Sequence, residues 1–379
     1  MPETVFTNAR IVMRDEVIEG SLAISGAEIK DVSAGRVRST SAIDCEGDLL
    51  VPGLVELHTD NLERHMMPRP KASWPAGSAA INHDREIIAA GITTVYNALT
   101  IGHVRPTSTA EGLGAMLSAL DRQAASGALK AEHRLHLRCE VSGSDLMDLL
   151  EPLIDHPSVG LMSVMDHTPG QRQFVSLEQY TTYYQGKYAL TDEALRRFII
   201  ERREDFERYG VAQRRKVVDM ARERGLPLAS HDDATFDHVA EAANDSVVIA
   251  EFPTTIEAAQ ACRTHDLAVL MGAPNVVRGG SHSGNVAARE LARLGCLDIL
   301  SSDYVPASLL FGALMLTEGE DGIALPQAIG MVTTVPARRL GLDDRGEIAA
   351  GKRADLVRFR PDAAGPVVRE VWREGERVA

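Results

Sequence analysis

The sequence predicts an α/β fold in which a (β/α)8 TIM-type barrel carries a small β-sandwich domain built from both ends of the chain. Short runs rich in Val, Ile and Leu alternate with longer segments of helical period through the middle of the 379 residues. Eight such strand–helix units fit there, which is the number that a barrel requires. Both chain ends instead show the short runs and Gly or Asn bends that are typical of hairpins.

The predicted barrel strands are short and apolar, as buried parallel strands are. They cover Leu50–His58, Gly91–Asn97, His133–Val141, Val159–His167, Leu226–His231, Val247–Phe252, Leu267–Met271 and Leu297–Ser302. Helices are predicted between them, among others at Ala110–Gly127, Ala234–Ala243, Thr255–Thr264 and Asn285–Leu294. The alternation by itself also permits a doubly wound open sheet.

The chain is predicted to divide into a barrel at residues 50–344 and a small β domain made of residues 1–49 and 345–379. The first part of this domain reads TVFTNARIVM and EGSLAISGAEIKDVS, and the second contains RGEIAAGKRADLVRFRP and VVREVWREGERV. Both have the pattern of short hairpin strands. We therefore expect the two fragments to pair into one sheet domain that joins the ends of the chain.

The composition narrows the class of protein. The chain has 40 Lys and Arg against 54 Asp and Glu, a formal net charge of −14, which argues against general binding to nucleic acid or to anionic membranes. Metal ions or a few cationic side chains can still make one cleft attractive to an anionic small molecule. Four widely spaced cysteines, no signal-peptide pattern and no long apolar run predict a cytoplasmic protein.

Metal-ligand side chains recur where the predicted strands end. Because the carboxyl ends of barrel strands meet at one face, side chains at these positions are expected to converge. His58 and Asp60 also stand two residues apart, so that they point to the same side of one strand. The predicted metal ligands are His58, Asp60, Glu140, His167, His231 and Asp303, with Glu251 as a weaker candidate. Histidines away from the strand ends, such as His83 and His136, are interpreted as structural.

This donor set predicts two metal ions. Imidazole nitrogens mixed with carboxylate oxygens suit Zn²⁺, and the set exceeds what one tetrahedral ion requires. Two ions about 3.5–4 Å apart would use the donor atoms that one ion leaves over. The cofactor is therefore predicted to be a divalent metal, as two Zn²⁺ ions, and Asp303 is predicted to orient an attacking water and to take its proton.

The loop after the seventh strand, APNVVRGGSHSGN, is predicted to bind an anion. Its glycines allow close backbone approach, and a helix is predicted to begin near Asn285. TIM barrels often bind phosphate in the loops after strands 7 and 8. The candidate substrate-binding residues are Arg278, Gly279, Gly280, Ser281 and His282, together with Lys187 in the long loop after the fourth strand. A flexible Gly-rich loop without a ligand is the alternative.

At LLVPGLVELHTD the chain resembles the amidohydrolase superfamily, in which a strand runs through Pro-Gly into a metal-binding His-x-His. Pro52, Gly53 and His58 match this pattern, and Asp60 replaces the second histidine. The segment GEIAAGKRADLV is similar to the superfamily's return into the flanking β domain. NHDREIIAAGITTV, HLRCE, SHDDAT, EFPTT and SSDYVP resemble the phosphonate-metabolism branch of the superfamily.

The resemblance implies that the barrel at residues 50–344 is a metal-dependent hydrolase, and it also implies a substrate and a partner. The substrate would be a small-molecule triphosphorylated sugar phosphonate that is hydrolysed with release of pyrophosphate, and the chain would form a homodimer. Two alternatives stay open at this point. One is a C–N hydrolase of the same superfamily, of the cyclic-amidase or amino-sugar deacetylase type. The other is a barrel that has lost its metal and its chemistry.

Overall fold

A computed structural model describes residues 3–69, 72–102, 108–170, 172, 192–281, 284–319 and 322–379. Two eight-stranded sheets organise this part of the chain. Every helix within these ranges falls short of the length or the apolar character that crossing a bilayer requires. The combination of a barrel sheet with a second sheet drawn from both chain ends confirms the predicted fold class.

The barrel sheet is parallel, and its strands follow one another in chain order. The strands are β6 Leu54–Thr59, β7 Ile92–Ile101, β8 Glu132–Glu140, β9 Val159–Met165, β10 Leu228–His231, β11 Ile249–Glu251, β12 Ala268–Gly272 and β13 Ile299–Ser301. At the seam between the last strand and the first, a parallel bridge joins Thr59 to Asp303. The barrel is thus nearly closed.

The second sheet pairs the beginning of the chain with its end. Its strands are β1 Glu3–Val12, β2 Val17–Ser25, β3 Glu28–Ala34, β4 Ile43–Asp44, β5 Leu49–Pro52, β14 Leu356–Arg360, β15 Val367–Arg373 and β16 Glu376–Arg377. β5 lies between β1 and β14 in the sheet order. The strand predicted at Leu50–His58 is therefore two strands, because the chain passes from one sheet to the other after Pro52.

Gly53 is the residue at which the chain passes from one sheet to the other. A Cβ atom at position 53 would lie 2.3 Å from Thr93 Oγ1 and 2.9 Å from Asp355 Cβ. Real Cβ contacts are not this short, so a larger residue would push the barrel strand away from the return segment. The Pro-Gly pair of the sequence motif therefore has a steric reason.

Helices flank the strands in the alternation that the sequence predicts. They are α1 Asn61–Met66, α2 Ala76–Ala89, α3 Ala110–Ala125, α4 Leu146–Leu150, α5 Asp192–Asp205, α6 Val211–Glu223, α7 Phe236–Asn244, α8 Ile256–Thr264, α9 Ala273–Arg278, α10 Ala288–Arg293, α11 Ser308–Met315, α12 Leu325–Gly330 and α13 Thr334–Arg339. A π-helical turn at Phe206–Gly210 joins α5 to α6. The helix predicted from Asn285 begins three residues later, at Ala288.

The inside of the barrel changes from apolar to polar along its axis. Val55, Tyr96, Leu161 and Ile249 belong to one buried apolar cluster among the strands. Toward the carboxyl ends of several strands, buried polar side chains replace the apolar ones: His136 and Glu140 on β8, His231 on β10 and Glu251 on β11. The apolar layers close one end of the barrel, and the polar layer forms its mouth.

Candidate metal and anion site

The three histidines predicted as ligands meet in the barrel mouth, and each donates a hydrogen bond through Nδ1 to a carboxylate. His58 donates to Glu251 Oε1 at 2.9 Å, and His231 donates to Glu251 Oε2 at 3.3 Å. His167 donates to Glu140 Oε2 at 2.6 Å. A ring that donates through Nδ1 keeps the Nε2 lone pair for a metal ion, and carboxylate partners of this kind fix ligand histidines in known metal sites.

The strand register explains why these side chains meet. His231 and Glu251 are the last residues of neighbouring strands and lie opposite each other in the register. The His58 and His231 rings stack with their centroids 5.6 Å apart. In the sequence, 172 residues lie between these two histidines, and each is predicted to stand at the end of a strand. The prediction that His58 and His231 face one common region is therefore confirmed.

Among the described residues, two groups of three side chains have ligand atoms close enough to hold a metal ion. One consists of His58, His136 and Glu251, and the other of His167, His231 and Asp232. Asp60, Glu140 and Asp303 lie outside both groups in this conformation. Their predicted ligand roles stay predictions.

The second group consists of electron-pair donors that face one another. Asp232 Oδ2 lies 3.4 Å from His231 Nε2 and 3.7 Å from His167 Nε2, and this buried oxygen has no hydrogen-bond partner. Burial raises the pKa of Asp232 to about 7 and keeps the pKa of His231 well below its usual value. Facing lone pairs repel unless a proton or a cation lies between them, so the group fits a divalent metal ion.

Asp232 is a residue that the sequence analysis missed. It follows His231 directly in the motif SHDDAT, so a signal was present in the sequence. Alternation along a strand would turn neighbouring side chains to opposite sides. The backbone of Asp232 instead adopts a left-handed conformation with φ of 56° just after the strand ends, and this bend brings its carboxylate beside the preceding imidazole.

His136, interpreted from the sequence as structural, lies on β8 inside the mouth. Its Nδ1 donates to the carbonyl of Leu57 at 3.0 Å, and its Nε2 accepts from Ser163 Oγ at 2.9 Å. Both ring nitrogens therefore already have partners, and Glu251 Oε1 is 3.8 Å from Nδ1. His136 can bind a metal ion only if one of these bonds is given up.

Backbone hydrogen bonds connect Asp303 to His58 and Asp60 to Asp303. The N–H of Asp303 donates to the carbonyl of His58 at 3.1 Å, and the N–H of Asp60 donates to the carbonyl of Asp303 at 3.2 Å. Thr59 Oγ1 also donates to the Asp303 carbonyl at 2.8 Å. Asp303 has a φ of 54°, a left-handed conformation that costs a non-glycine residue about 1–2 kcal/mol. The hydrogen bonds from Asp303 to His58 and Thr59 on the first barrel strand hold residue 303 in this conformation.

A chain of hydrogen bonds fixes the helix that follows Asp60. Asn61 Nδ2 donates to His83 Nδ1 at 3.1 Å, and His83 Nε2 donates to Asn97 Oδ1 at 2.8 Å. Asn97 Nδ2 donates to His133 Nδ1 at 3.2 Å, and His133 Nε2 donates to Asp84 Oδ1 at 3.2 Å. Asn61, His83, Asn97 and Asp84 are buried, and His133 is half-buried. The chain ties α1 to α2, β7 and β8 and thereby holds the segment that carries Asp60.

The structure describes part of the predicted anion-binding loop. Gly279 ends α9 in a left-handed conformation with φ of 80°, and its N–H donates to the carbonyl of Val276 at 3.2 Å. The N–H of Gly280 donates to the carbonyl of Asn275 at 2.9 Å. The N–H groups of Gly279 and Gly280 therefore already donate to carbonyls at the C-terminal end of α9, and this end of a helix carries a partial negative charge.

The remaining members of that predicted set are placed as follows. Arg278 is exposed, and Ser281 is half-buried. His282 and Lys187 lie outside the described residues. The substrate-binding roles of all six residues, including Gly279 and Gly280, stay predictions.

Residues 84–379 match the model of the amidohydrolase family. The chain belongs to this family, and thus to a class of metal-dependent hydrolases. It is 49% identical over 376 residues to alpha-D-ribose 1-methylphosphonate 5-triphosphate diphosphatase from Escherichia coli K12, with 99% of this chain and 100% of that protein covered. This full-length similarity confirms the resemblance found in the sequence.

Two solved structures share the fold. N-isopropylammelide isopropylaminohydrolase from Burkholderia multivorans superposes with a TM-score of 0.66 at 17% identity, covering 100% of this chain and 98% of that chain. N-acetylglucosamine-6-phosphate deacetylase from Pasteurella multocida superposes with a TM-score of 0.64 at 15% identity, covering 100% of both chains. At these identities the likeness shows the architecture alone.

Proposed function

We propose that this chain hydrolyses α-D-ribose 1-methylphosphonate 5-triphosphate to the 5-phosphate and pyrophosphate. The observation that carries this proposal is the 49% identity to the Escherichia coli diphosphatase along the whole length of both chains. The grouped histidines and carboxylates in the barrel mouth support it, because hydrolysis of a phosphoanhydride needs positive charge around the phosphoryl group.

Two Zn²⁺ ions are the proposed cofactor, held among His58, Asp60, Glu140, His167, His231 and Asp303. Mixed nitrogen and oxygen donors favour this metal. Glu251 and Asp232 join this set as candidates because their oxygens lie beside the three imidazoles. The proposal needs no large movement of the three rings, since all of them already face the mouth.

The proposed reaction joins a water oxygen to the α-phosphorus and breaks the bond from that phosphorus to the bridging oxygen of the β-phosphate. Bound divalent ions would supply positive charge that activates water and stabilises the phosphoryl oxygens. The Asp303 carboxylate accepts the proton of the attacking water. Pyrophosphate leaves with the bond electrons, and the sugar phosphonate keeps one phosphate.

The substrate would enter as a small anionic molecule, with Arg278, Gly279, Gly280, Ser281, His282 and Lys187 as predicted contacts for its phosphates. The overall charge of −14 makes such local cationic groups necessary. Assembly as a homodimer and a cytoplasmic location, both expected from the sequence, stay predictions.

An assay of products tests the proposal. The purified chain is loaded with Zn²⁺ and incubated with the triphosphate, and pyrophosphate and orthophosphate are measured separately. We expect one pyrophosphate for each substrate consumed. A parallel assay with a dihydropyrimidine and an N-acetylated amino-sugar phosphate measures ring opening and acetate release. Turnover of either of these without pyrophosphate release from the triphosphate would replace the proposal with the C–N hydrolase alternative.

A further inference from the structure

Phe252 packs against the rings of two candidate metal ligands. The centroid of its ring lies 4.9 Å from that of His58 and 5.3 Å from that of His231, with interplanar angles of 87° and 79°. The two imidazoles are nearly parallel, with an angle of 19° between their planes. The Phe252 ring therefore stands perpendicular to both of them, in the edge-to-face arrangement that aromatic rings favour.

The backbone turns Phe252 toward these rings. Phe252 follows Glu251, the last residue of β11, and alternation along a strand would place the two side chains on opposite sides. Its φ is instead 53°, a left-handed conformation that is an outlier for a bulky residue. Its N–H donates to the carbonyl of Leu270 at 2.8 Å, and this hydrogen bond ties the bend to the neighbouring strand. The ring thereby packs against the apolar cluster inside the barrel.

Burial alone gives little reason for this bend. Phe252 stays half-buried, although a phenylalanine side chain gains most when it is fully buried. Residues other than glycine keep a left-handed conformation only where their surroundings fix it, and such residues cluster at functional sites. Asp232 and Asp303 also adopt it, and they too follow barrel strands at the mouth. What the bend achieves at Phe252 is the pair of contacts with the imidazoles.

The two imidazoles need a second constraint besides their carboxylate. Glu251 accepts a hydrogen bond from Nδ1 of each ring, at 2.9 Å and at 3.3 Å. One hydrogen bond fixes one atom of a ring and still allows the ring to rock, which moves Nε2. Other histidine rings in the mouth contact one member of the pair or the other. Among the described residues, Phe252 is the phenylalanine that contacts both.

We propose that Phe252 is a positioning residue of the metal site, whose ring holds the His58 and His231 imidazoles in the orientation in which they bind a divalent ion. This inference rests on the proposed function, which requires that ion. Ligand rings that are already held lose less conformational freedom when the ion binds, and this raises the affinity. An apolar ring beside the ligands also limits the access of water to them.

Phe252→Ala and Phe252→Gly test the inference without any substrate. Both remove the ring, and glycine also suits the left-handed backbone, so Phe252→Gly serves as the test if the alanine variant does not fold. The dissociation constant of Zn²⁺, measured by competition with a chelator, should rise about fivefold to fiftyfold in each variant. The visible absorption spectrum of Co²⁺ bound in place of Zn²⁺ should also change, because rings that are no longer held alter the coordination.

A purely structural role of Phe252 would move different quantities. It would lower the melting temperature of the metal-free protein and leave the Zn²⁺ constant and the Co²⁺ spectrum of the folded protein unchanged. Phe311→Ala is the matched control, since Phe311 is also half-buried but lies on α11, beside Gly365 in the loop between β14 and β15. This variant should keep the wild-type Zn²⁺ constant and Co²⁺ spectrum.

A wild-type Zn²⁺ constant together with a wild-type Co²⁺ spectrum, in whichever Phe252 variant folds, overturns the inference. So does an equal loss of Zn²⁺ affinity in Phe311→Ala, which would mark a general effect of losing a half-buried ring. The proposed function fails separately, if wild-type protein releases no pyrophosphate from the triphosphate. In that case a Zn²⁺ constant that depends on Phe252 would still support the positioning role at a metal site in the mouth.

Discussion

The Glu56 carboxylate accepts a hydrogen bond from the backbone N–H of Ser302 at 2.5 Å, across the seam between the first and the last barrel strand. Its other oxygen accepts from the N–H of His58 at 2.6 Å. Glu56 is fully buried. One side chain thus joins the strand that presents His58 to the residue before Asp303.

Replacing Glu56 by Gln should open this seam. The amide keeps one acceptor oxygen but turns an N–H toward a backbone N–H, so one buried donor loses its partner. We expect the free energy of unfolding to fall by about 1–3 kcal/mol, measured by urea titration. The control is Glu151→Gln, at an exposed position. A variant as stable as wild type would show that the seam does not depend on Glu56.

Gly53→Ala tests the steric reason for the Pro-Gly pair. The new methyl group would meet Thr93 Oγ1 and Asp355 Cβ, so we expect a loss of about 1–3 kcal/mol in the free energy of unfolding. Gly114→Ala, in an open position of a helix, should be neutral or slightly stabilising. Equal unfolding midpoints for the two variants would contradict the packing argument.

Asp232→Asn separates metal binding from folding. The asparagine amide can donate to an imidazole Nε2, so the metal-free protein should keep its melting temperature. The affinity for Zn²⁺, measured by competition with a chelator, should fall at least about tenfold. His156→Ala removes a histidine that pairs with Asp121 away from the mouth and should keep full affinity. Wild-type Zn²⁺ affinity in Asp232→Asn would exclude this carboxylate as a ligand.

Asp303→Asn should remove most of the turnover while the protein stays folded. Loss of a general base lowers kcat by about 10²–10⁴-fold, and the backbone bonds of residue 303 do not involve the altered atoms. Turnover is followed as pyrophosphate release, with bound metal measured on the same sample. A kcat close to wild type would contradict the predicted role, and a loss of bound metal would indicate a ligand role instead.

The stability of the fold should fall in acid because of Glu132. Its Oε2 accepts from Arg345 Nη1 and from Arg353 Nη1, both at 2.6 Å. Burial alone would raise the pKa of Glu132, but the two arginines lower it from its ordinary value of 4.5 to about 2. The unfolded chain therefore binds the proton more readily than the folded chain does. The stabilisation is complete above about pH 4.5 and is lost as the pH falls toward 2.

Unfolding free energies of wild type and Glu132→Gln at pH 7 and at pH 3 measure this effect. We expect the difference between the two proteins, on the order of 2 kcal/mol at neutral pH, to shrink at pH 3. Glu151→Gln, which changes an exposed carboxyl, should show little difference at either pH. A difference for Glu132→Gln that stays constant with pH would show that packing, and not charge, carries its contribution.

The sequence by itself determined the barrel and the location of its mouth. Apolar runs of strand length could be recognised without partners, and the carboxyl ends of parallel strands always meet at one face. The ends of eight predicted strands therefore sufficed to place His58, His167 and His231 together. The break at Gly53 escaped this reasoning because the runs before and after it are both apolar.

Tertiary structure alone decided which atoms pair within the mouth. Glu251 holds two imidazoles, Glu140 holds a third, and Arg138 comes to lie beside His231. Hydrogen bonds depend on distances of a few tenths of an ångström between strands that are far apart in the chain, and strand periodicity carries no such information. The left-handed backbone at Asp232 likewise follows from how its strand ends against its neighbours.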